Sequence, residues 1–222
     1  MTTGRPADAL TAAGVPPERW GRERLRSLTD AEQAFYRWIL KSFGAGAPPG
    51  PDELADAATA LDLEVEPALR RLAREDLVHH DPATGAILVA YPFSGRSTAH
   101  QVRFDGREVY AMCAIDALGI APMLDEAVEI ASFDPLTDDR IEVVLDPDGN
   151  GTWQPPEAVV VCGVTGSGDS CSSCCPVLNF FASTKNAGRW LAQHPDVRGE
   201  VISMQEAILA GRAVFGEVLK ED

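Results

Sequence analysis

Long apolar runs are missing from this 222-residue chain. No stretch of about 18 apolar residues occurs, so no transmembrane helix is expected. Basic residues are scarce: 19 Lys and Arg stand against 34 Asp and Glu, a net charge of −15. Nucleic acids and anionic membrane surfaces are met by basic faces, so neither is an expected partner. The opening MTTGRPADALTAAGVPPERW has no basic start followed by a continuous apolar stretch. No signal peptide is expected, and the expected setting is the cytoplasm, where thiols stay reduced. Cysteines number five, too few and too odd for a disulfide scaffold. The chain also lacks a phosphate-binding loop, a dinucleotide fingerprint and an internal repeat of fixed period. Its four histidines, His79, His80, His100 and His194, show no zincin or zinc-finger spacing.

Hydrophobic residues, by contrast, make up 45% of the chain, ample for a core. Residues 1–28, rich in Ala, Arg, Gly and Pro, read as a loosely ordered lead-in with a short helix near Glu18–Arg26. SLTDAEQAFYRWILKSF then starts a helix at a capping box, Thr29 with Glu32 three positions on. Two more amphipathic helices follow, PDELADAATALDL and EVEPALRRLAREDL, and then a hairpin in HHDPATGAILVAYPF. Three helices and a hairpin form the plan of a winged helix-turn-helix over 29–91. The remainder, 92–222, alternates strands and helices, with a hairpin turn at Asp105-Gly106. The expected class is α+β: an N-terminal winged-helix-like helical domain, then a mostly antiparallel sheet core with flanking helices. The third helix would be the DNA reader of such a plan. Its Arg70, Arg71 and Arg74 are offset by Glu64, Glu66, Glu75 and Asp76, a poor phosphate footprint.

Chemistry concentrates in two stretches. In DSCSSCCPVLNFF, a Gly/Ser-rich loop delivers Cys171, Cys174 and Cys175. A disulfide, a zinc or iron–sulfur site, and a reactive soft-metal site all compete there. With Cys113 four sulfurs are available, but only Cys171 and Cys174 have the CxxC spacing that structural zinc sites favour. An extended backbone would turn Cys175 away from Cys174. In YAMCAIDALG, Cys113 and Asp116 fall at i and i+3 on one helix face. A helix start there would favour the Cys113 thiolate and lower its pKa. Cys162 ends the apolar run AVVVC and reads as core.

FDGREVYAMCAIDAL followed later by CCPVLNFFAS resembles the organomercurial (alkylmercury) lyases, over roughly Tyr91 to Glu217. The N-terminal helices resemble that family's first domain. The resemblance implies Cys113 and Cys174 as the two catalytic cysteines and Asp116 as the catalytic carboxylate. All three would contact mercury as substrate and product, with Cys171 a candidate third thiolate and Cys175 no primary catalyst. A structural cysteine frequent in the family is absent from EIASFDPLTDD, whereas Cys162 and Cys171 are additions. The implied reaction is protonolysis of a carbon–mercury bond, giving a hydrocarbon and thiolate-bound Hg(II). It needs no cofactor, but external thiols, or a mercuric reductase, must take the ion away. The alternative is a non-catalytic thiol-based heavy-metal binder, or a metal-responsive regulator with a winged helix.

Overall fold

A computed structural model describes residues 4–12, 15–166 and 170–220, without the side chains of residues 5, 6, 12, 18 and 171. Helix α1 (Gly4–Ala12) and two 3-10 turns (Pro17–Arg19, Gly21–Leu25) come first. Three helices follow: α2 (Asp30–Gly44), α3 (Pro51–Ala60) and α4 (Val65–Arg74). The Thr29–Glu32 capping box is formed, satisfying backbone N–H groups that α2 would otherwise leave open. Next come β1 (Val78–His80), β2 (Ile87–Ala90), β3 (Phe93–Ser94), β4 (His100–Phe104) and β5 (Arg107–Ala111). Helix α5 (Ala114–Leu124) precedes β6 (Val128–Phe133), β7 (Arg140–Leu145), β8 (Gly151–Gln154) and β9 (Val159–Thr165). The chain closes with α6 (Ser170–Ser173), β10 (Asn179–Phe181), α7 (Thr184–Gln193), β11 (Val197–Ser203) and α8 (Met204–Phe215).

The strands form an eight-stranded sheet, β1-β2-β3-β5-β4-β6-β7-β8, and a three-stranded sheet, β10-β9-β11. Every strand pair among the described residues is antiparallel. The β4–β5 turn runs through Asp105 (φ 45°) and Gly106 (φ 72°), the left-handed pair that a two-residue hairpin requires. The alternation in β7 is complete: Ile141, Val143 and Leu145 are buried, and the residues between them are exposed. The boundary expected near residue 91 falls between β2 and β3, which are hydrogen-bonded neighbours through Ala90 and Phe93. One apolar core runs across it; Phe43 of α2 stacks on Phe93 at 5.2 Å.

Two features hold the site in place. Helices α5 and α8 cross closely at Gly119 and Gly211. A Cβ on Gly119 would strike the Phe215 ring, and one on Gly211 would lie 2.8 Å from the Gly119 nitrogen. The lead-in differs from its expected loose order. Its described residues include α1 and the two 3-10 turns, the latter where a short helix was expected, and Ala9, Leu10 and Leu25 are buried against the core. Short Ala- and Gly-rich helices carry little periodicity of their own; tertiary burial supplies the order.

Candidate active site

Strand β5 delivers the chain to Cys113, which caps α5 in extended conformation (φ −153°). Its Sγ accepts the Asp116 backbone N–H at 3.5 Å, so thiol and carboxylate meet in the first turn. The Ala114 N–H donates to Leu178 O at 2.8 Å, fastening this helix start to the end of the second cysteine segment.

That segment is not extended. Ser170 O accepts Cys174 N at 3.1 Å and Cys175 N at 2.9 Å, and Cys174 O accepts Val177 N at 2.8 Å and Leu178 N at 3.0 Å. In tight helical turns neighbouring side chains diverge by about 100°, not by the 180° of a strand. The expectation that Cys175 turns away is therefore corrected: Cys174 and Cys175 line the same cavity. Within it, Cys113 Sγ, an Asp116 carboxylate oxygen and Cys175 Sγ all lie within 4.8 Å of one another, and all three residues are buried. The Cys175 thiol points at Asp116 Oδ2 at 3.9 Å. Cys174 is outside this group; its Sγ donates to Ser170 O at 3.4 Å. The expected Cys113–Asp116 pairing is thus formed in space, and the second sulfur beside it is Cys175. The role of Cys171 lies outside the described residues. Cys162, fully buried, donates to Ala9 O at 3.5 Å.

Burial dominates the electrostatics. It pushes Asp116 up to about 7, against hydrogen bonding with Cys113 and the charge of Arg24. It also pushes the Cys113 thiol up to about 12, helped by the Asp116 carboxylate. The lowered Cys113 pKa expected from the helix start is overturned, because one capping N–H does not offset removal of water from a thiolate. Cys175 is raised by its contact with Cys113, and Cys174 by its contact with Cys175 and by burial. The resting site is therefore three neutral thiols around a carboxyl group that titrates near neutrality.

Sequence reading missed the groups that hold this arrangement. Asp76, 6% exposed, lies just past α4. Its Oδ2 accepts Ser170 Oγ (2.6 Å), Ser170 N (3.1 Å) and Arg19 (3.0 Å), and its Oδ1 meets His79 Nε2 at 2.8 Å. Burial alone would raise Asp76, but His79, Ser170 and Arg19 outweigh it and hold the carboxyl below its ordinary range. The anchor thus ties the lead-in, α4 and β1 to the turn carrying Cys174 and Cys175. Arg24 also lines the cavity. Nothing in the spacing of Asp76 or Arg24 marks them; apart from His79, their partners named here are distant in sequence.

The family model for alkylmercury lyase matches residues 93–216. The chain belongs to the alkylmercury lyase family. Alkylmercury lyase of Staphylococcus epidermidis is 29% identical over 179 residues, 80% of each chain. That of Streptomyces lividans is 26% identical over 190 residues, 85% of each chain. The crystal structure of the mercury-bound form of MerB2 superposes with a TM-score of 0.75 at 20% identity, covering 95% of this chain and 100% of that one. At that identity it supports the fold alone. The lyase family is thus matched over the stretch that holds Cys113, Asp116 and the paired cysteines. A DNA-reading regulator is not favoured. On α4, Arg70 pairs with Glu66 at 2.7 Å and Arg71 with Glu75.

Proposed function

We propose that this chain cleaves carbon–mercury bonds by protonolysis, using Cys113 and Cys175 as the two thiols and Asp116 as the proton carrier. The observation that carries the reading is the buried group of two sulfurs and one carboxylate in an alkylmercury lyase chain. Mercury is soft and prefers thiolate, so Cys113 takes R–Hg from a carrier thiol and yields its proton to that thiol. Cys175 then passes its proton to the Asp116 carboxylate and binds the metal as a thiolate. Asp116 delivers that proton to the carbon, which keeps the bonding pair and leaves as R–H. The products are R–H and Hg(II) bridging Cys113 and Cys175. Two external thiols, or a mercuric reductase, remove the ion and return both protons. An Asp116 poised near 7 supplies both its base and its acid form at neutral pH. Cys174 is proposed as an accessory thiol and Cys171 as a further candidate ligand.

The reaction calls for no nicotinamide, flavin or resident metal. It calls for reduced thiols, so the proposed setting is the cytoplasm. All four cysteines with described side chains are free, and no described helix is long and apolar enough to cross a membrane. We read α2–α4 with the β1–β2 hairpin as a winged-helix-like unit over 29–91, and 92–222 as the lyase unit. The unit's proposed task is to carry Asp76, not to read DNA. The test is incubation of the protein with a phenylmercury salt and excess thiol. Benzene and Hg(II) in equal amounts are expected; mercury bound without benzene would leave a binding protein.

A further inference from the structure

We propose that an arginine-lined groove at the mouth of the thiol cavity binds the carboxylates of small anionic thiols, the carriers that bring organomercurials in and take Hg(II) out. The identity of the cargo rests on the lyase reading above. The groove has a free volume of about 520 Å³ and is lined by Arg19, Glu23, Arg24, Arg26, Arg74 and Glu75, beside Ser27. Arg19 and Arg24 also line the thiol cavity, so the two spaces share a wall. Among the described lining residues four guanidinium groups stand against two carboxylates, with Asp76 behind Arg19, on a chain of net charge −15.

The pairing inside the groove is incomplete. Arg26 holds Glu23 at 2.6 Å, Arg19 holds the buried Asp76, and Glu75 is engaged by Arg71. Among the described residues, Arg24 and Arg74 have no carboxylate within ion-pair distance. The Arg24 Nε is buried without a hydrogen-bond partner among them. Its guanidinium lies 5.4 Å from the Phe215 ring centre and 6.0 Å from that of Tyr91, aromatic walls of the same cavity. A partly desolvated cation beside an open groove gains most from an arriving carboxylate, which it grips with two parallel N–H donors.

Soft-metal chemistry says which carboxylate arrives. In water rich in thiols the organomercury cation travels as R–Hg–SR′. Loading breaks the Hg–SR′ bond, forms Hg–S at Cys113, and moves the Cys113 proton onto R′S. Unloading is the reverse exchange: two R′SH give their protons to the two protein thiolates and leave as Hg(SR′)₂. A small thiol therefore visits the mouth on the way in and on the way out. A carboxylate gripped by Arg24 and Arg74 would set its sulfur toward Cys113 and Cys175.

The test uses three probes: mercaptosuccinate (anionic), 2-mercaptoethanol (neutral) and cysteamine (cationic). Protein loaded with one equivalent of Hg(II) is mixed with each, and extraction is followed by the loss of mercury–thiolate absorption. The quantity read is the ratio of the mercaptosuccinate rate to the mercaptoethanol rate, which cancels intrinsic thiol reactivity between protein variants. Arg24→Gln and Arg74→Gln should each lower that ratio by roughly two- to fivefold, the size expected of a partly exposed ion pair. Raising the salt concentration should lower it as well, and the cysteamine ratio should move the opposite way. Arg74 is exposed at a helix end, so its variant tests the groove even if Arg24→Gln does not fold. An unchanged ratio in Arg74→Gln, or equal loss with all three thiols, overturns the proposal. Extraction needs no bond cleavage, so failure of the lyase reading would show separately, as mercury exchange without hydrocarbon.

Discussion

Each of the three residues proposed to act on mercury is assigned a separable job. Cys113→Ser and Cys175→Ser should each abolish hydrocarbon release, because a hydroxyl stays protonated and is a poor soft ligand. Cys174→Ser should retain turnover, since its sulfur points to Ser170 O and lies outside the 4.8 Å group. Rates of benzene formation by the three variants decide between this assignment and the one read from sequence. Asp116→Asn should still hold mercury on two thiols but release hydrocarbon about 10²- to 10⁴-fold more slowly, the usual contribution of a general acid or base. In the free enzyme the Asp116 base form must take a thiol proton, so kcat/KM should rise with pH through about 7 and lose that step in Asp116→Asn. The same residue costs stability. Its folded pKa lies above its unfolded value near 3.8, so the unfolded chain binds fewer protons between the two. Stability from this group therefore falls as pH rises from about 4 to about 7 and is level above. Asp116→Asn should raise the stability more at pH 8 than at pH 4, by a difference on the order of a few kcal/mol, read as a larger rise in Tm at pH 8. A Tm difference that does not change with pH would contradict the buried, raised carboxyl.

At the scale of elements, the site depends on two packings far from mercury. Where α5 crosses α8, Gly119→Ala has no room for its methyl against Phe215 and Gly211. About 1–3 kcal/mol of overpacking is expected in chemical denaturation, together with a displaced Cys113–Asp116 turn and slower cleavage. Asp76→Asn removes the charge that Arg19 and Ser170 surround and should cost about 3 kcal/mol, as when one member of a buried pair is lost. Asp76 is held below its ordinary range, so its contribution is present above pH 4 and is lost as pH falls through the folded pKa. Much of this scale was legible in sequence. The Thr29–Glu32 box, the Asp105-Gly106 hairpin and the Cys113–Asp116 spacing all rest on contacts within a few residues, and each appears in the fold. What was not legible depends on distant partners. A segment read as a Gly/Ser-rich loop is wound into helical turns over 170–178, and Asp76, 94 positions away, holds its start at Ser170. That winding exchanges Cys174 for Cys175 beside Asp116. The Cys113 pKa was misjudged for the same reason: a local dipole is visible in sequence, but burial by the lead-in, α5 and α8 is not.

Over the whole molecule, an acidic chain of net charge −15 carries a buried thiol site whose outer groove is lined by Arg19, Arg24, Arg26 and Arg74. The α2–α4 region, proposed above as a winged-helix-like unit, should not retard duplex DNA at physiological salt, with or without Hg(II), because the Arg70 and Arg71 side chains are already paired. Retardation in a gel would revive the regulator. The central claim is that a proton passes from Cys175 through Asp116 to the carbon of a substrate held on Cys113. Its most direct measurement is a single turnover of phenylmercury in D₂O with Cys174→Ser and Cys175→Ser side by side, headspace benzene being analysed by mass spectrometry. Monodeuterated benzene, one per mercury, is expected from Cys174→Ser and none from Cys175→Ser. Benzene from Cys175→Ser at the rate of Cys174→Ser, or none from either while wild type makes it, would contradict the account.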